Sequence, residues 1–450
     1  MARKLRCSKQ LSPTFNPAPK KILKRLKQPP QTNIDIQRLG IDGEGVGSLE
    51  GFTLFVEGAL PSENVQVEIT EKRKTYGRAR LLQVLSSSPH RVKPLCPLFG
   101  KCGGCQLMHL SYPQQLLAKQ TRVFDALTRI GKLSVEVAPC LPSPQPLAYR
   151  NKIQLPVSPR GKLGLYAKDS HNLVEIERCY IHCDLGEKVF QALQPLITTD
   201  LRHVLIKTAV HTNQVLVILV TSSSQLLTSL GEQILKLVPE IKGIVQNIQP
   251  DPTNTILSKN FHLLAGQNYI EETLCGLTFK VSPASFFQVN PPQAERLYQK
   301  ALEFAALNGA ETVLDAYCGV GTLTLLLAQK AGHVIGVEYA SVAIEDAKEN
   351  ARRNNIHNVT FHAMAAEKLD VPPLDVAVLN PPRKGCDKDF LLRLANLKPK
   401  RIIYISCDPA TLARDLRILC DNGYRVEQVQ PFDMFPQTAH VETVVCLSYV

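Results

Sequence analysis

The feature that most constrains this chain is a regular alternation of helical and strand-like segments that begins near residue 292. Helical spacing of apolar residues alternates with short apolar runs rich in Val, Ile and Leu. This pattern predicts an α/β domain over residues 281–450, Rossmann-like and doubly wound around a mostly parallel sheet, with ligands at the carboxyl ends of the strands. The predicted elements are helix Pro292–Ala306, strand Thr312–Ala316, helix Thr322–Lys330, strand Val334–Val337, helix Val342–Asn355, strand Val359–His362, strand Leu374–Leu379, helix Asp389–Ala395, strand Arg401–Ser406, helix Pro409–Cys420 and strands Val426–Pro431 and Glu442–Leu447.

Residues 32–90 have a different pattern, with short alternating strands separated by glycines. Strands are predicted at Phe52–Val56, Asn64–Ile69 and Arg80–Val84, and a small β-barrel is the natural closure for them. The basic stretch Glu71–Arg80 is expected on a loop, where its cations and Tyr76 suit RNA phosphates and bases. An ordinary exposed basic hairpin remains an alternative.

Residues 91–280 are predicted to form a central mixed α+β domain, with a helix at Tyr112–Ile130 and a strand at Asn213–Val220. A chain of 450 residues is too long for one ordinary core, so several domains are expected.

The formal net charge is +12, and nine Lys or Arg residues stand among the first thirty without any acid. A tail over residues 1–31 is therefore expected to be disordered and to bind polyanions, or else to act as a solubilising arm. No apolar segment follows it, which argues against a secretory signal and a membrane span. We expect a cytoplasmic protein that works as a monomer.

A glycine-containing loop follows strand Thr312–Ala316, with Gly319 and Gly321 at the start of a helix. Glu338 ends the next strand, where its carboxylate can accept hydrogen bonds from ribose hydroxyls. Thr324 stands where a dinucleotide site would have a third glycine, which favours a nucleoside ligand without a pyrophosphate. Asn380 follows a later strand and is held by the two prolines after it.

Cys407 lies between strand Arg401–Ser406 and a helix, at the predicted ligand edge. The helix dipole is expected to lower the pKa of its thiol and favour the nucleophilic thiolate, although a buried core cysteine is the alternative. Glu442 is the best-placed carboxylate for a general base. His440 is a second candidate, or a packing residue beside Phe435.

Five motifs stand out in the sequence: Ser285–Asn290, Asp315–Thr322, Asn380–Gly385, Ser406–Arg414 and His440–Val444. Together they resemble those of the RNA 5-methyluridine methyltransferases, and the resemblance covers about residues 33–450. The resemblance implies S-adenosylmethionine as cofactor, bound by Gln288, Tyr317, Glu338 and Asn380. It also implies Cys407 as the nucleophile that adds to carbon 6 of a uridine and Glu442 as the base.

The N-terminal segment looks like the RNA-binding TRAM barrel of this family. Barrel and cysteine cluster are typical of its ribosomal-RNA branch, so the implied substrate is 23S ribosomal RNA, as for the RlmD-like type. Transfer RNA is the alternative within the family. A cytidine-C5 methyltransferase and a non-catalytic RNA-binding or ribosome assembly factor are the alternatives outside it.

Cys96, Cys102 and Cys105 are spaced C-x5-C-x2-C, which indicates a metal site. Spacing alone leaves zinc and iron–sulfur open, and either Cys179 or Cys183 could be the fourth ligand. The resemblance implies a [4Fe-4S] cluster with Cys179.

Two positions depart from the family pattern, which usually has Asp where Asn380 stands and Asn where Asp408 stands. Both follow neighbouring predicted strands, so we hypothesise that an acid and an amide have exchanged places.

Overall fold

The computed structural model describes residues 31–251, 253–370 and 372–450. The basic tail predicted over residues 1–31 lies outside the described residues, except for Gln31, which begins the first strand. No helix in the described ranges is long and apolar enough to cross a membrane.

Five strands near the N-terminus close into a barrel, which confirms the predicted fold of this segment. Alternate strand residues fill its core, including Ile34, Leu54 and Val65. The basic stretch predicted on a loop instead belongs mainly to two paired strands joined by residues 73–75, because the strand pattern continues on both sides of a tight turn. The strands are β1 Gln31–Leu39, β2 Gly45–Leu49, β3 Phe52–Glu57, β4 Asn64–Lys72 and β5 Tyr76–Ser86, in the order β1-β2-β3-β5-β4.

The central region contains a five-stranded sheet and two short hairpins. Its elements are α1 Tyr112–Arg129, β6 Lys152–Pro156, β7 Gly164–Tyr166, β8 Leu173–Glu175, α2 Asp184–Leu193, β9 Leu201–Ala209, β10 Gln214–Thr221, α3 Thr228–Leu235, β11 Ile241–Ile248, β12 Phe261–Gly266, β13 Ile270–Leu274 and β14 Leu277–Val281. The sheet order is β12-β11-β10-β9-β6, and β13 pairs with β14.

The C-terminal region is the predicted doubly wound domain. Its elements are α4 Pro291–Ala305, β15 Thr312–Ala316, α5 Thr322–Ala328, β16 His333–Glu338, α6 Ser341–Arg353, β17 Val359–Ala363, β18 Val376–Leu379, α7 Lys388–Asn396, β19 Arg401–Ser406, α8 Pro409–Asp421, β20 Tyr424–Phe432 and β21 Glu442–Tyr449. The seven-stranded order is β17-β16-β15-β18-β19-β21-β20. The first five strands are parallel, and β21 and β20 are antiparallel to their neighbours.

Helix α1 packs on this C-terminal sheet, although it belongs to the central region in sequence. Val123 and Leu127 of α1 share one buried cluster with Leu412 and Leu416 of α8, and Leu133 beyond α1 joins them. The C-terminal domain is therefore built from two distant stretches of the chain.

Candidate active site

The polar residues expected at the ligand edge follow neighbouring parallel strands. Tyr317 follows β15, Glu338 ends β16, Asn380 follows β18 and Cys407 follows β19. Because β16, β15, β18 and β19 are consecutive and parallel, their carboxyl ends form one edge of the sheet. The structure thus brings these four residues to the edge that the sequence predicts.

The loop after β15 leaves space for a ligand. Gly319 and Gly321 have φ angles of 57° and 81°, a region that glycine occupies without strain. A Cβ built on Gly319 would meet no atom of the described residues within 4 Å, so this side of the loop is open. The Glu338 carboxylate accepts hydrogen bonds from the amides of Gly319, at 3.3 Å, and Ala340, at 3.0 Å. It thereby links the loop to β16 and retains lone pairs for further donors.

Thr324 has a structural role that the glycine pattern did not reveal. Its hydroxyl donates to the Asp315 carboxylate at 2.6 Å. Burial raises the pKa of Asp315 to about 7, and the Thr324 hydrogen bond opposes that rise. Thr324 therefore stabilises a buried acid beneath the loop.

Gln288 comes from outside the sheet, in the segment before α4. Its carbonyl accepts a hydrogen bond from the Asn151 side chain at 3.2 Å. The buried Tyr298 of α4 lies beside it, and Tyr298 is also close enough to Asp315 and Glu442 for their charges to raise its pKa, although burial is the main cause. Periodicity gave no signal for Gln288, because its place depends on tertiary packing.

Strand register brings Cys407 and Glu442 together. Ser406, the last residue of β19, pairs with Thr443 of β21. The next residue in the chain, Cys407, therefore lies across from Glu442. Burial raises the pKa of Glu442 to about 8, and the Arg383 guanidinium opposes the rise. A carboxyl group with a pKa near the operating pH is suited to general base catalysis.

The expected lowering of the Cys407 pKa was wrong. Burial raises the pKa of this thiol to about 11, the Glu442 carboxylate adds to the rise, and Arg383 opposes it. The helix dipole is outweighed because the half-buried thiol faces a carboxylate across the strand pair.

His440 lines a cavity next to this pair and packs edge-on against Phe435, with ring centroids 6.1 Å apart. Burial lowers its pKa to about 4, and the nearby Arg383 and Arg122 charges lower it further. It is therefore a neutral and weak base near pH 7, which favours Glu442 of the two candidates.

The two residues that depart from the expected pattern occupy well-defined backbone positions. Asp408 is the N-cap of α8, and its carboxylate accepts hydrogen bonds from the amides of Ala410 and Thr411, both at 2.9 Å. The backbone amide of Asn380 donates to the carbonyl of Ala316 at 3.3 Å, which continues the pairing of β18 with β15. Capping alone explains Asp408, because Asp and Asn are equivalent N-caps.

Arg383 is a residue whose importance the sequence did not reveal. Its side chain is exposed, lines the same cavity as His440, and lowers the pKa of both Cys407 and Glu442. The Thr411 hydroxyl donates to its carbonyl at 3.1 Å, which fixes the backbone of this loop against α8. The signal available was its place directly after the Pro-Pro pair.

Four cysteines line this cavity, which measures about 450 Å³. They are the three of the C-x5-C-x2-C motif, Cys96, Cys102 and Cys105, together with Cys179. Cys183 is instead the N-cap residue of α2, with its thiol near Thr208. Within the described ranges, no three His, Cys, Asp or Glu side chains are grouped closely enough to hold a single metal ion.

Comparison with known proteins identifies two parts of the chain. Residues 307–434 match the family described as a methyltransferase domain, and residues 32–82 match the TRAM domain family.

Full-length relatives extend this assignment. A protein of Clostridium tetani described as an uncharacterized RNA methyltransferase is 43% identical over 93% of this chain and 96% of its own length. A relative of Halalkalibacterium halodurans with the same description is 44% identical over 92% of this chain and 96% of its own. The crystal structure of the Pyrococcus abyssi tRNA (uracil-54, C5)-methyltransferase in complex with S-adenosyl-L-homocysteine is 29% identical, with a TM-score of 0.76, and covers 92% of this chain and 99% of that one. This chain belongs to the RNA methyltransferases.

Proposed function

We propose that this protein methylates carbon 5 of a uridine in RNA, with Cys407 as a covalent nucleophile and Glu442 as the general base. The observation that carries the proposal is the β19–β21 register, which sets these two side chains across from each other at the ligand edge. The likeness to the archaeal uracil-C5 enzyme supports the choice of base and atom.

S-adenosylmethionine would supply the methyl group on a positively charged sulfur. Gln288, Tyr317, Glu338 and Asn380 are the residues we assign to its binding. The open side of the loop at Gly319 and the remaining lone pairs of Glu338 are compatible with a nucleoside there.

Cys407 carries the first chemical step. Carbon 5 of uracil is a poor nucleophile, so the thiolate first forms a bond to carbon 6, and the electrons of the carbon 5–carbon 6 double bond move towards oxygen 4. Carbon 5 can then form its bond to the methyl group, while the donor sulfur keeps the electron pair of the bond that breaks. Arg383 favours this step because its charge stabilises the thiolate of a cysteine whose pKa is raised.

Glu442 carries the last step. Its carboxylate accepts the proton of carbon 5, and the electrons of that carbon–hydrogen bond restore the ring double bond. As that double bond forms, the carbon 6–sulfur bond breaks, its electron pair stays on the sulfur and Cys407 leaves as a thiolate.

The cavity beside Arg383 suits an RNA segment. Its lining combines the cations Arg150, Lys152, Arg178 and Arg383 with the aromatic rings of Phe286, Phe287 and Phe435. Cations contact phosphates and aromatic rings stack on exposed bases, and a uridine must leave its stack to reach Cys407. The exposed cations of the β4–β5 hairpin, Lys72, Lys74 and Arg78 among them, would extend this contact to the barrel.

We propose that Cys96, Cys102, Cys105 and Cys179 hold a [4Fe-4S] cluster, with zinc as the alternative. All four line one cavity, and Cys179, Cys102 and Cys96 are close enough to Cys105 for their charges to raise the pKa of its thiol, although burial is the main cause. Four neighbouring thiols are a donor set that either group can use. When bound, such a group would cross-link the cysteine-rich loop to the chain near Cys179. A brown protein with iron and inorganic sulfide would support this assignment, and a colourless protein with bound zinc would refute it.

We infer 23S ribosomal RNA as the substrate from the resemblance described above. Transfer RNA is the second candidate, because the archaeal transfer-RNA enzyme covers 92% of this chain. The 8% of this chain that the match leaves out is about 36 of 450 residues, fewer than the 56 residues from β1 to β5. The match therefore includes part of the barrel, so the presence of a barrel does not by itself exclude transfer RNA as the substrate.

The test is methyl transfer from labelled S-adenosylmethionine to unmodified transcripts of 23S ribosomal RNA and of transfer RNA, followed by nucleoside analysis. We expect 5-methyluridine in ribosomal RNA only, and none with Cys407→Ala. Cys420→Ala, at the far end of α8, is the matched control and should retain activity. Labelling of transfer RNA alone would refute the ribosomal assignment, 5-methylcytidine would refute the uridine, and an active Cys407→Ala variant would refute the covalent mechanism.

A further inference from the structure

We propose that Gln115 of α1 is a positioning residue for the general base. Through reciprocal hydrogen bonds with Gln437 it fixes residues 433–441, the connection between β20 and β21, and so sets the place of Glu442 relative to Cys407. This inference rests on the proposed function, because it assigns a role in the step that Glu442 carries.

The connection is held by side chains and backbone groups from residues 106–149. Lys119 binds Asp433 in a buried ion pair and donates to the carbonyl of Phe435 at 3.0 Å. The Tyr149 hydroxyl donates to the carbonyl of Pro436 at 3.1 Å. Further along, the Arg122 guanidinium donates to the carbonyl of Ala439 at 2.5 Å. The contacted residues all lie within the nine positions before Glu442, where β21 begins, so they bear on where β21 starts.

Gln115 lies at the centre of these contacts and is only 1% exposed. Its Nε2, which has two hydrogens to donate, lies within hydrogen-bond distance of three acceptors: the carbonyls of Leu107 and Leu110, at 3.0 and 2.8 Å, and Gln437 Oε1, at 3.1 Å. Its Oε1 accepts from the amide of Gln437 at 3.1 Å. Because carbonyls only accept, they orient Nε2 towards themselves and Oε1 towards that amide.

Gln437 needs this support because its backbone is unusual. Its φ angle is 70°, in the left-handed region that is strained for a residue with a side chain. Its carbonyl also accepts from the amides of Gln106 and Leu107, at 3.0 and 2.9 Å. Gln115 contacts both segments that meet here, because it hydrogen-bonds to Leu107 in one segment and to Gln437 in the other.

Three of the α1 side chains that contact the connection, Gln115, Lys119 and Arg122, are spaced so that they share one face of the helix. On that face, Lys119 and Arg122 bind the two ends of the connection and Gln115 binds its turn. Loss of Gln115 would leave the ends attached while the turn relaxes. The expected result is a displaced Glu442 in a protein that still folds.

The reaction offers a readout that a purely structural role would not change. A displaced base slows removal of the carbon 5 proton more than the attack of Cys407 on carbon 6. The RNA–protein adduct should therefore accumulate. A variant that is only destabilised would instead contain fewer active molecules and would not accumulate the adduct. We expect Gln115→Met to lower kcat about tenfold and leave KM for RNA within about twofold, as for a small misplacement of a catalytic group.

The experiment incubates the full chain with labelled S-adenosylmethionine and the transcript that the wild type methylates, then denatures the mixture and measures RNA-bound protein. Gln120→Met is the matched control, since it lies on the same helix and removes a hydrogen bond to Val137 at 2.9 Å, away from the connection. We expect several-fold more adduct with Gln115→Met than with wild type, and no increase with Gln120→Met. If Gln115→Met does not fold, Gln437→Asn tests the same pair, because Asn tolerates a positive φ.

A Gln115→Met variant that folds with a wild-type adduct level would overturn the inference, and so would an equal increase with Gln120→Met. Glu442→Gln separates this outcome from failure of the proposed function. If Glu442→Gln accumulates adduct and Gln115→Met does not, only the positioning role fails. If neither the wild type nor Glu442→Gln forms any adduct, the covalent mechanism itself fails, and the inference with it.

Discussion

The parallel and antiparallel halves of the C-terminal sheet hold their site residues in different ways. On the parallel side, Glu338 binds the amides of Gly319 and Ala340, and Asp408 binds amides two and three residues ahead of it. On the antiparallel side, residues 433–441 are held by partners about 300 positions away in the chain, such as Lys119 and Gln115.

This difference teaches that the proposed active site combines an edge encoded by nearby residues with a proposed base whose place is encoded elsewhere in the chain. The parallel edge follows from strand ends and tight turns, which any doubly wound sheet provides. Residues 433–441, which lead into Glu442, also contact α1 and the cysteine-rich loop, and we infer that these contacts set the position of Glu442. We therefore expect substitutions on the antiparallel side to act at longer range.

The largest effect on stability is predicted for Lys119→Met, which removes one partner of the buried ion pair on the antiparallel side. Lys119 and Asp433 are 1% and 0% exposed in their side chains, and removal of one partner leaves an unpaired buried charge. The free energy of unfolding should fall by about 3–5 kcal/mol, as measured by denaturant unfolding.

Arg129→Met is the control for Lys119→Met, because it breaks an exposed pair with Asp125 on the same helix. The expected loss there is below about 1 kcal/mol. Equal losses for the two variants would remove the distinction between the buried anchor and the ordinary surface of α1.

A smaller effect is predicted at Arg383, which follows β18 on the parallel side and acts on Cys407 of the parallel side and on Glu442 of the antiparallel side. Its charge lowers the pKa of both Cys407 and Glu442, so Arg383→Gln should raise both values and move the rate of adduct formation to higher pH. At a pH well below the pKa of the thiol, each rise of about one in that pKa lowers the thiolate fraction about tenfold. The measurement is the rate of adduct formation on RNA containing 5-fluorouridine, whose fluorine blocks the last step.

Arg383→Lys keeps the positive charge and should retain most of the wild-type pH profile. Superimposable profiles for the wild type and Arg383→Gln would show that this guanidinium does not assist ionisation.

The smallest effect is predicted for Asp408→Asn, on the parallel side. Asn caps a helix as well as Asp does, so the free energy of unfolding should change by less than about 0.5 kcal/mol. Asp408→Ala, which removes the cap, should cost about 1 kcal/mol in the same unfolding measurement. A large loss with Asn would show that the negative charge of Asp408, rather than its capping oxygen, matters here.

Much of the parallel side could be predicted from sequence. The bounds predicted for β15 and β19 match the structure, and the strand predicted from Leu374 begins at Val376, where the pairing with β15 starts. Local hydrophobic patterns were sufficient to predict this side, because each candidate site residue stands at the end of its own strand or directly after it.

The remaining features depended on tertiary contacts that no local pattern encodes. The rise in the Cys407 pKa comes from burial and from Glu442, which the helix-dipole argument did not include. Spacing left Cys179 and Cys183 equivalent, and only the fold separates the cavity from the N-terminus of α2. The packing of α1 on the C-terminal sheet was equally hidden, since its apolar face gives no information about its partner.

The hydrogen bond between Gln115 and Gln437 joins residues 322 positions apart. Contacts between such distant positions carry a large loop-closure entropy and form late in folding. The sheet edge around Gly319 and Glu338 can form from a continuous stretch of about twenty residues, well before that. We therefore expect the link between Gly319 and Glu338 to form in a newly made chain before residues 433–441 reach their place, so the position of Glu442 would be among the last features of the fold to form.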